Sequence, residues 1–162
     1  MSMAVSICLV RREDRQRLLT DVAWAQAQAE QGDGADSVML GEQWQTMHFA
    51  LTGAAWKAGP TPSTPLERAV LGDGGAPVEA VEAGYGPGRL LDAAAVKEVA
   101  AAMAKLPTTL VAQRLLTAAG ATPGSLQEAE LMIGDDFELY DDLKDLYTDA
   151  AEEGAELLFT FG

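Results

Sequence analysis

The sequence is poor in the residue types that most often build chemical sites. Its 162 residues include a single cysteine, Cys8, and a single histidine, His48. One cysteine excludes a disulfide framework and a cysteine-based zinc site, and one histidine excludes a histidine-rich metal site. The remaining residues form no complete catalytic set. We therefore predict no catalytic residue, no metal and no cofactor, and we favour a protein without enzymatic activity.

Basic residues are scarce as well. The chain has 11 Lys and Arg against 25 Asp and Glu, a formal net charge of −14 at pH 7. Nucleic acids and anionic membranes attract positive protein surfaces, so we expect neither as a partner. No stretch approaches the roughly 18 unbroken apolar residues of a membrane span. The apolar run 3–10 is followed by Arg11 and Arg12 and preceded by no basic residue, the reverse of a secretory signal, which predicts a cytoplasmic protein.

The chain length is typical of one domain, and both ends carry strand patterns. Residues 3–10 are apolar on both faces of an extended chain, which is typical of an internal strand. Leu157, Phe159 and Phe161 alternate along a last strand, and helical patterns fill most of the sequence between. We therefore predict an α+β fold. It is a single compact domain over 1–162, in which a small sheet containing the N- and C-terminal strands packs against several helices.

Helical spacing predicts where two of the helices lie. One is expected over Arg11–Gln31, capped by Gly32, and a shorter one over Glu42–Leu51, ended by Gly53. One face of the shorter helix carries four residues spaced three or four apart: Trp44, Met47, His48 and Leu51. A lone histidine among apolar neighbours is most often a hydrogen-bonded structural residue, and this is one interpretation of His48.

The glycines of Gly84–Arg89 (GYGPGR) are spaced almost as in a phosphate-binding loop. The dinucleotide pattern G-x-G-x-x-G would need a glycine where the sequence has Arg89, and Pro87 removes a backbone N–H from the loop. We interpret the segment as a turn that leads into an extended stretch, Tyr85–Leu91.

The C-terminal third is strongly acidic. Residues 128–156 include twelve Asp and Glu and one basic residue, Lys144. Ser125 and Glu128 form a capping box that predicts a helical run, and a long helix is expected from about Asp135. A calcium-binding EF-hand loop from Asp135 would need glycine at its sixth position, where the sequence has tyrosine. The acidic residues are therefore either a solvated face or a surface that binds a basic partner. The residues expected on such a surface are Glu138, Asp142, Asp145, Asp149 and Glu152.

Several blocks together resemble the YfbM-like family of bacterial proteins. They are W-x-x-x-H-F-x-L-T-G over Trp44–Gly53, P-L-x-x-A-V-L-G over Pro65–Gly72, and GYGPGRLL over Gly84–Leu91. The resemblance implies a compact α+β fold and a function that is not known, and it supplies no catalytic residues. The matching polar and aromatic positions are candidates for a binding pocket: Trp44, His48, Thr52, Tyr85 and Arg89.

Two functional hypotheses follow. The first is a non-catalytic protein-binding module whose acidic face binds a basic protein, as an immunity-type antagonist of a basic toxin would. Electrostatic attraction would make such an encounter fast and sensitive to salt. The alternative is a small-molecule-binding protein or enzyme with a pocket around Trp44, His48, Tyr85 and Arg89. In that pocket Arg89 would bind a carboxylate or phosphate, and His48 would transfer a proton.

Overall fold

The computed structural model describes residues 2–30, 36–59 and 61–162. Its strands are β1 (Val5–Val10), β2 (Ser37–Gly41), β3 (Ala76–Glu82), β4 (Pro87–Leu91) and β5 (Glu156–Phe161). They form one antiparallel sheet in the order β2-β1-β5-β4-β3. The terminal strands β1 and β5 pair with each other along their whole length, inside the sheet. The predicted α+β class and a sheet that joins both ends of the chain are confirmed.

Helices cover both faces of this sheet. They are α1 (Arg15–Thr20), α2 (Val22–Ala29), α3 (Trp44–Thr52), α4 (Ala93–Lys105), α5 (Thr108–Ala118) and α6 (Leu126–Glu153), with short 3-10 helices at Arg12–Asp14 and Pro65–Arg68. Ile7 and Leu9 of β1 join the large core with α3 to α6, whereas Cys8 and Val10 join a smaller core with α1 and α2. Successive strand residues point to opposite faces, so a strand buried on both sides must be apolar throughout. This explains the unbroken apolar pattern of β1.

The single helix predicted over Arg11–Gln31 is wrong, because the structure divides this segment at Asp21. Asp21 has an extended backbone (φ −107°, ψ 96°), and its carboxylate accepts a hydrogen bond of 3.0 Å from the amide of Trp24. A residue that caps the start of one helix in this way cannot continue the helix before it. The predicted cap at Gly32 lies outside the described residues.

The sequence patterns did not predict β2 and β3, the two edge strands of the sheet. Strand β2 is only five residues long, and β3 carries Pro77 and has four exposed positions. Short length and proline are features of edge strands, and both weaken the alternating pattern by which a strand is found.

The acidic C-terminal helix is longer than the pattern indicates. Helix α6 begins at Leu126 and not at Asp135, because Ser125 accepts a hydrogen bond of 3.2 Å from the amide of Glu128 and caps one continuous helix. Although α6 has 28 residues, it is too polar to span a membrane. No other helix in the described part of the chain is both long and apolar enough to do so.

Candidate functional site

Helix α3 is held firmly at both ends. The indole Nε1 of Trp44 donates a hydrogen bond of 3.0 Å to the carbonyl oxygen of Met3. At the other end, Gly53 adopts a left-handed conformation (φ +74°), and Arg114 donates to the carbonyl oxygens of two residues in the last turn of the helix. A side chain at Gly53 would come within 2.9 Å of the Arg114 guanidinium. The predicted helix and its glycine cap are confirmed, and they fix the position of His48.

A cavity of about 290 Å³ opens between the end of α3 and the 3-10 helix Pro65–Arg68. We call it the His48 cavity. Its lining includes the side chains of His48, Thr52, Trp56, Lys57, Glu67 and Asp73. Two sequence blocks therefore meet here: Trp44–Gly53 provides one wall, and Pro65–Gly72 with the next residue provides another.

His48 is 6% exposed, and Nδ1 of its ring is completely buried without a hydrogen-bond partner among the described residues. Buried polar atoms without a partner are rare, and each one calls for an explanation. Burial lowers the pKa of His48, and the nearby charges of Asp73 and Glu67 oppose this only in part. The imidazole is therefore neutral at pH 7 and keeps one ring nitrogen as an acceptor. The interpretation of His48 as a hydrogen-bonded structural residue does not describe this ring.

Glu67 is held in place by donors from the loop before it. Its carboxylate accepts hydrogen bonds from the Ser63 amide (3.1 Å), the Ser63 hydroxyl (3.2 Å) and the Thr64 hydroxyl (3.1 Å). The bond from the Ser63 amide is the main cause that lowers the pKa of Glu67, so this carboxylate is charged.

Asp73 is positioned by Arg89 of β4. Nη1 of Arg89 donates to Oδ1 of Asp73 (2.6 Å) and to the carbonyl oxygen of Leu71 (3.2 Å). The guanidinium also lies 5.1 Å from the centre of the Phe161 ring. Arg89 is thus not a wall of the cavity but holds one of its carboxylates.

The segment between these two carboxylates is packed tightly against the core. The Tyr147 hydroxyl donates a buried hydrogen bond of 2.7 Å to the carbonyl oxygen of Ala69. Gly72 has φ +61°, and a Cβ there would lie 2.5 Å from the Phe159 ring. Only glycine satisfies both conditions, which accounts for the glycine that ends the Pro65–Gly72 block.

The five residues predicted for the pocket have different positions. His48 and Thr52 line the cavity. Trp44 lies behind it, with its ring edge-to-face with Trp56 at 5.3 Å between centroids. Arg89 acts through Asp73, as described above. Tyr85 does not line the cavity; it lies before β4, where its amide donates to the carbonyl oxygen of Phe161 (3.1 Å).

Sequence reasoning missed the other lining residues, among them Trp56, Lys57, Glu67 and Asp73. One signal was available for Glu67, because Thr64 and Glu67 have the T-x-x-E spacing of a capping box. No local pattern marks Trp56 or Asp73, which reach the cavity through loops. Trp56 also lines a second cavity of about 270 Å³, lined in part by Phe49 and Ala118.

The second predicted surface is the outer side of α6. All five of its candidate carboxylates are exposed, and within the described chain none of them forms an ion pair: Glu138, Asp142, Asp145, Asp149 and Glu152. By contrast, Glu153 contacts Arg11 at 3.5 Å. We call these five residues the acidic face. No group of three or more potential metal ligands lies together in the described parts of the chain.

The sheet with helices on both faces and a cavity at its side defines the class of this protein as α+β, without indicating a reaction. The chain belongs to the family described as a domain of unknown function (DUF1877), whose model matches residues 1–160. The resemblance found in the sequence blocks is thereby confirmed. The crystal structure of YfbM, a protein of unknown function from Escherichia coli, matches with a TM-score of 0.61 and 18% sequence identity, covering 96% of this chain and 98% of that one. At this identity the likeness shows a shared fold. No curated protein matches the chain.

Proposed function

We propose that this chain acts as a single-domain, small-molecule-binding protein of the cytoplasm, and that the His48 cavity is its site. The observation that carries the proposal is His48, which is 6% exposed, has a buried Nδ1 without a partner among the described residues, and lines a cavity of about 290 Å³. A bound molecule could hydrogen-bond the part of the ring that lines the cavity, whereas Nδ1 stays fully buried in the protein.

Binding is favoured over catalysis by the state of the lining side chains. The only hydroxyl among the six residues named above belongs to Thr52, which donates to the carbonyl oxygen of His48 (2.9 Å) and accepts from the amide of Ala54 (3.2 Å). A hydroxyl engaged in this way is not prepared for nucleophilic attack, which needs a base beside it.

His48 provides the test, because it is the one histidine of the chain. Its ring gives a single Hε1–Cε1 signal by NMR, against which a collection of small fragments can be screened. We expect some compounds to shift this signal saturably, and Trp56→Ala to weaken their binding. Trp24→Ala is the matched control, because Trp24 packs against the smaller core on the other side of the sheet. A signal that no compound shifts, or equal losses in both variants, would contradict the proposal.

The acidic face supports a second candidate function, the docking of a basic protein. Its five exposed carboxylates have no ion-pair partner among the residues that the structure describes, so a positively charged surface could approach them without breaking existing pairs. The test compares Asp142→Asn/Asp145→Asn/Asp149→Asn with a variant that loses the same charge elsewhere, Glu13→Gln/Glu79→Gln/Glu98→Gln. We expect a basic partner captured at low salt to be lost from the first variant and retained by the second. Equal capture by both would exclude this face.

A further inference from the structure

The chemical class of the ligand can be inferred from the hydrogen-bonding capacity left open in the His48 cavity. Oδ1 of Asp73 accepts from Arg89, whereas Oδ2 has no donor among the described residues. Oε2 of Glu67 accepts one hydrogen bond and Oε1 accepts two. A carboxylate oxygen can accept about two hydrogen bonds, so Asp73 Oδ2 and Glu67 Oε2 retain capacity. The open positions on these carboxylates are acceptors and therefore match a donor.

The charges of the lining side chains also favour a ligand that donates hydrogen bonds. The lining side chains carry the negative charges of Glu67 and Asp73 and the single positive charge of Lys57, which is exposed. Arg89 already pairs with Asp73 from outside the cavity. A neutral His48 adds one donor, one acceptor and no positive charge. An anion entering here would meet the carboxylate of Glu67 with only the exposed Lys57 to balance it, whereas a cation would find the charge of Glu67 and the open oxygen of Asp73.

The aromatic wall suits a cation as well. Trp56 lines the cavity, and an indole ring attracts a cation that lies over its face. The same ring borders the second cavity, where Phe49 and Ala118 provide apolar surface. An alkyl chain attached to the cation could therefore pack against the Trp56 ring.

We infer that the His48 cavity binds the ammonium or guanidinium group of a small organic cation, held by the carboxylates of Glu67 and Asp73 with the ring of His48 as an additional acceptor. This inference rests on the proposed small-molecule function and gives it a ligand class. The alkyl part of such a cation lies against Trp56.

The experiment uses four probes that share a butyl chain and differ in their polar end. They are n-butylammonium, n-butylguanidinium, butyrate and n-butanol, each titrated at neutral pH in a buffer free of amines while the His48 ring signal is followed by NMR. Molecules of this size bind with dissociation constants on the order of millimolar. We expect saturable shifts with the two cations and none with butyrate or butanol.

Variants identify the groups that recognise the cation. Glu67→Gln keeps the shape of the side chain and removes its charge, and we expect it to weaken cation binding about tenfold, the usual weight of a charge-assisted hydrogen bond. Asp73→Asn should do the same, although it also disturbs Arg89, so its fold is checked by circular dichroism. Glu79→Gln, on an exposed residue of β3 outside the cavity, is the matched control and should have no effect.

The possible failures are distinguishable. Saturable binding of butyrate or butanol without binding of the cations would overturn the ligand class and leave the small-molecule site in place. Cation binding that Glu67→Gln and Glu79→Gln weaken equally would overturn the assignment of the group to this cavity. A His48 signal that none of the four probes shifts would count against both the ligand class and the proposed site.

Discussion

Nη1 of Arg89 lies 2.6 Å from Oδ1 of Asp73, and this contact joins an inner strand of the sheet to a carboxylate of the cavity. The same nitrogen lies 3.2 Å from the carbonyl oxygen of Leu71 and so also fixes the backbone next to Gly72. A residue that the sequence suggested as an anion-binding group is therefore occupied by the protein's own carboxylate. Its role is to position Asp73.

We expect Arg89→Lys to loosen this arrangement, although the charge is kept. A lysine ammonium lacks the planar, rigid geometry with which a guanidinium binds several acceptors at once. Because the Arg89 side chain is 40% exposed, the loss of unfolding free energy should be modest, about 1 kcal/mol. Urea denaturation measures that loss, and the His48 NMR signal should shift in the same variant. An unchanged His48 signal would show that Asp73 does not depend on Arg89.

Gly72→Ala should be much more destabilising than Gly120→Ala. Both glycines have nearly the same positive φ, +61° and +64°, but a Cβ at Gly72 would strike the Phe159 ring at 2.5 Å, whereas at Gly120 there is nothing within 4 Å. The backbone strain common to both costs about 1–2 kcal/mol, and the clash adds about 1–3 kcal/mol at Gly72 alone. Denaturation of the two variants measures the difference. Equal losses of unfolding free energy would mean that the Phe159 ring moves aside at no cost.

Comparing Tyr147 with Tyr140 measures how much one buried hydroxyl contributes to stability. Both lie on α6 and both side chains are buried, but the Tyr147 hydroxyl donates to the Ala69 carbonyl, whereas the Tyr140 hydroxyl has no partner among the described residues. Burial raises the pKa of each phenol, so both remain protonated at neutral pH. Tyr147→Phe leaves a buried carbonyl unpaired and should cost about 1–3 kcal/mol, whereas Tyr140→Phe removes an unsatisfied group and should be neutral or stabilising. Thermal denaturation of the two variants decides; a larger loss at Tyr140 would show that its hydroxyl has a partner.

The sequence predicted the parts of this protein that depend on local periodicity. The apolar pattern of β1, the helix that carries His48 and its cap at Gly53 all follow from spacing and from one glycine. The break at Asp21 was missed because a capping aspartate does not interrupt apolar spacing. The cavity was predicted only in part. Trp56 and Asp73 both lie in loops, where no periodic pattern marks them, and only the tertiary fold brings them close to His48.

The lowered pKa of His48 predicts how stability depends on pH. Burial disfavours the charged ring, against the partial opposition of Asp73 and Glu67, while Lys57 also lines the cavity. A folded-state pKa below the unfolded value of 6.5 means that the unfolded chain binds the proton first. This contribution to stability is therefore present above pH 6.5 and is lost as the pH falls from 6.5 towards the folded pKa. His48→Gln removes it, so the difference in unfolding free energy between wild type and variant should shrink on acidification. A difference that is constant from about pH 7.5 to 5 would mean that the ring titrates normally in the fold.

The acidic face predicts a response to salt. Asp142, Asp145 and Asp149 follow one another at three- and four-residue spacing, and each such pair of like charges costs about 0.2–0.5 kcal/mol. Asp145→Asn/Asp149→Asn should therefore raise the melting temperature at low ionic strength, and the gain should vanish at about 1 M salt, where the Debye length is only about 3 Å. Glu79→Gln/Glu98→Gln removes the same charge from two exposed positions that lie on different elements, so it should raise the melting temperature less. If the α6 variant instead melts at a lower temperature than wild type, its two carboxylates stabilise the fold. The acidic face would then lose its physical basis as a surface held ready for a basic partner.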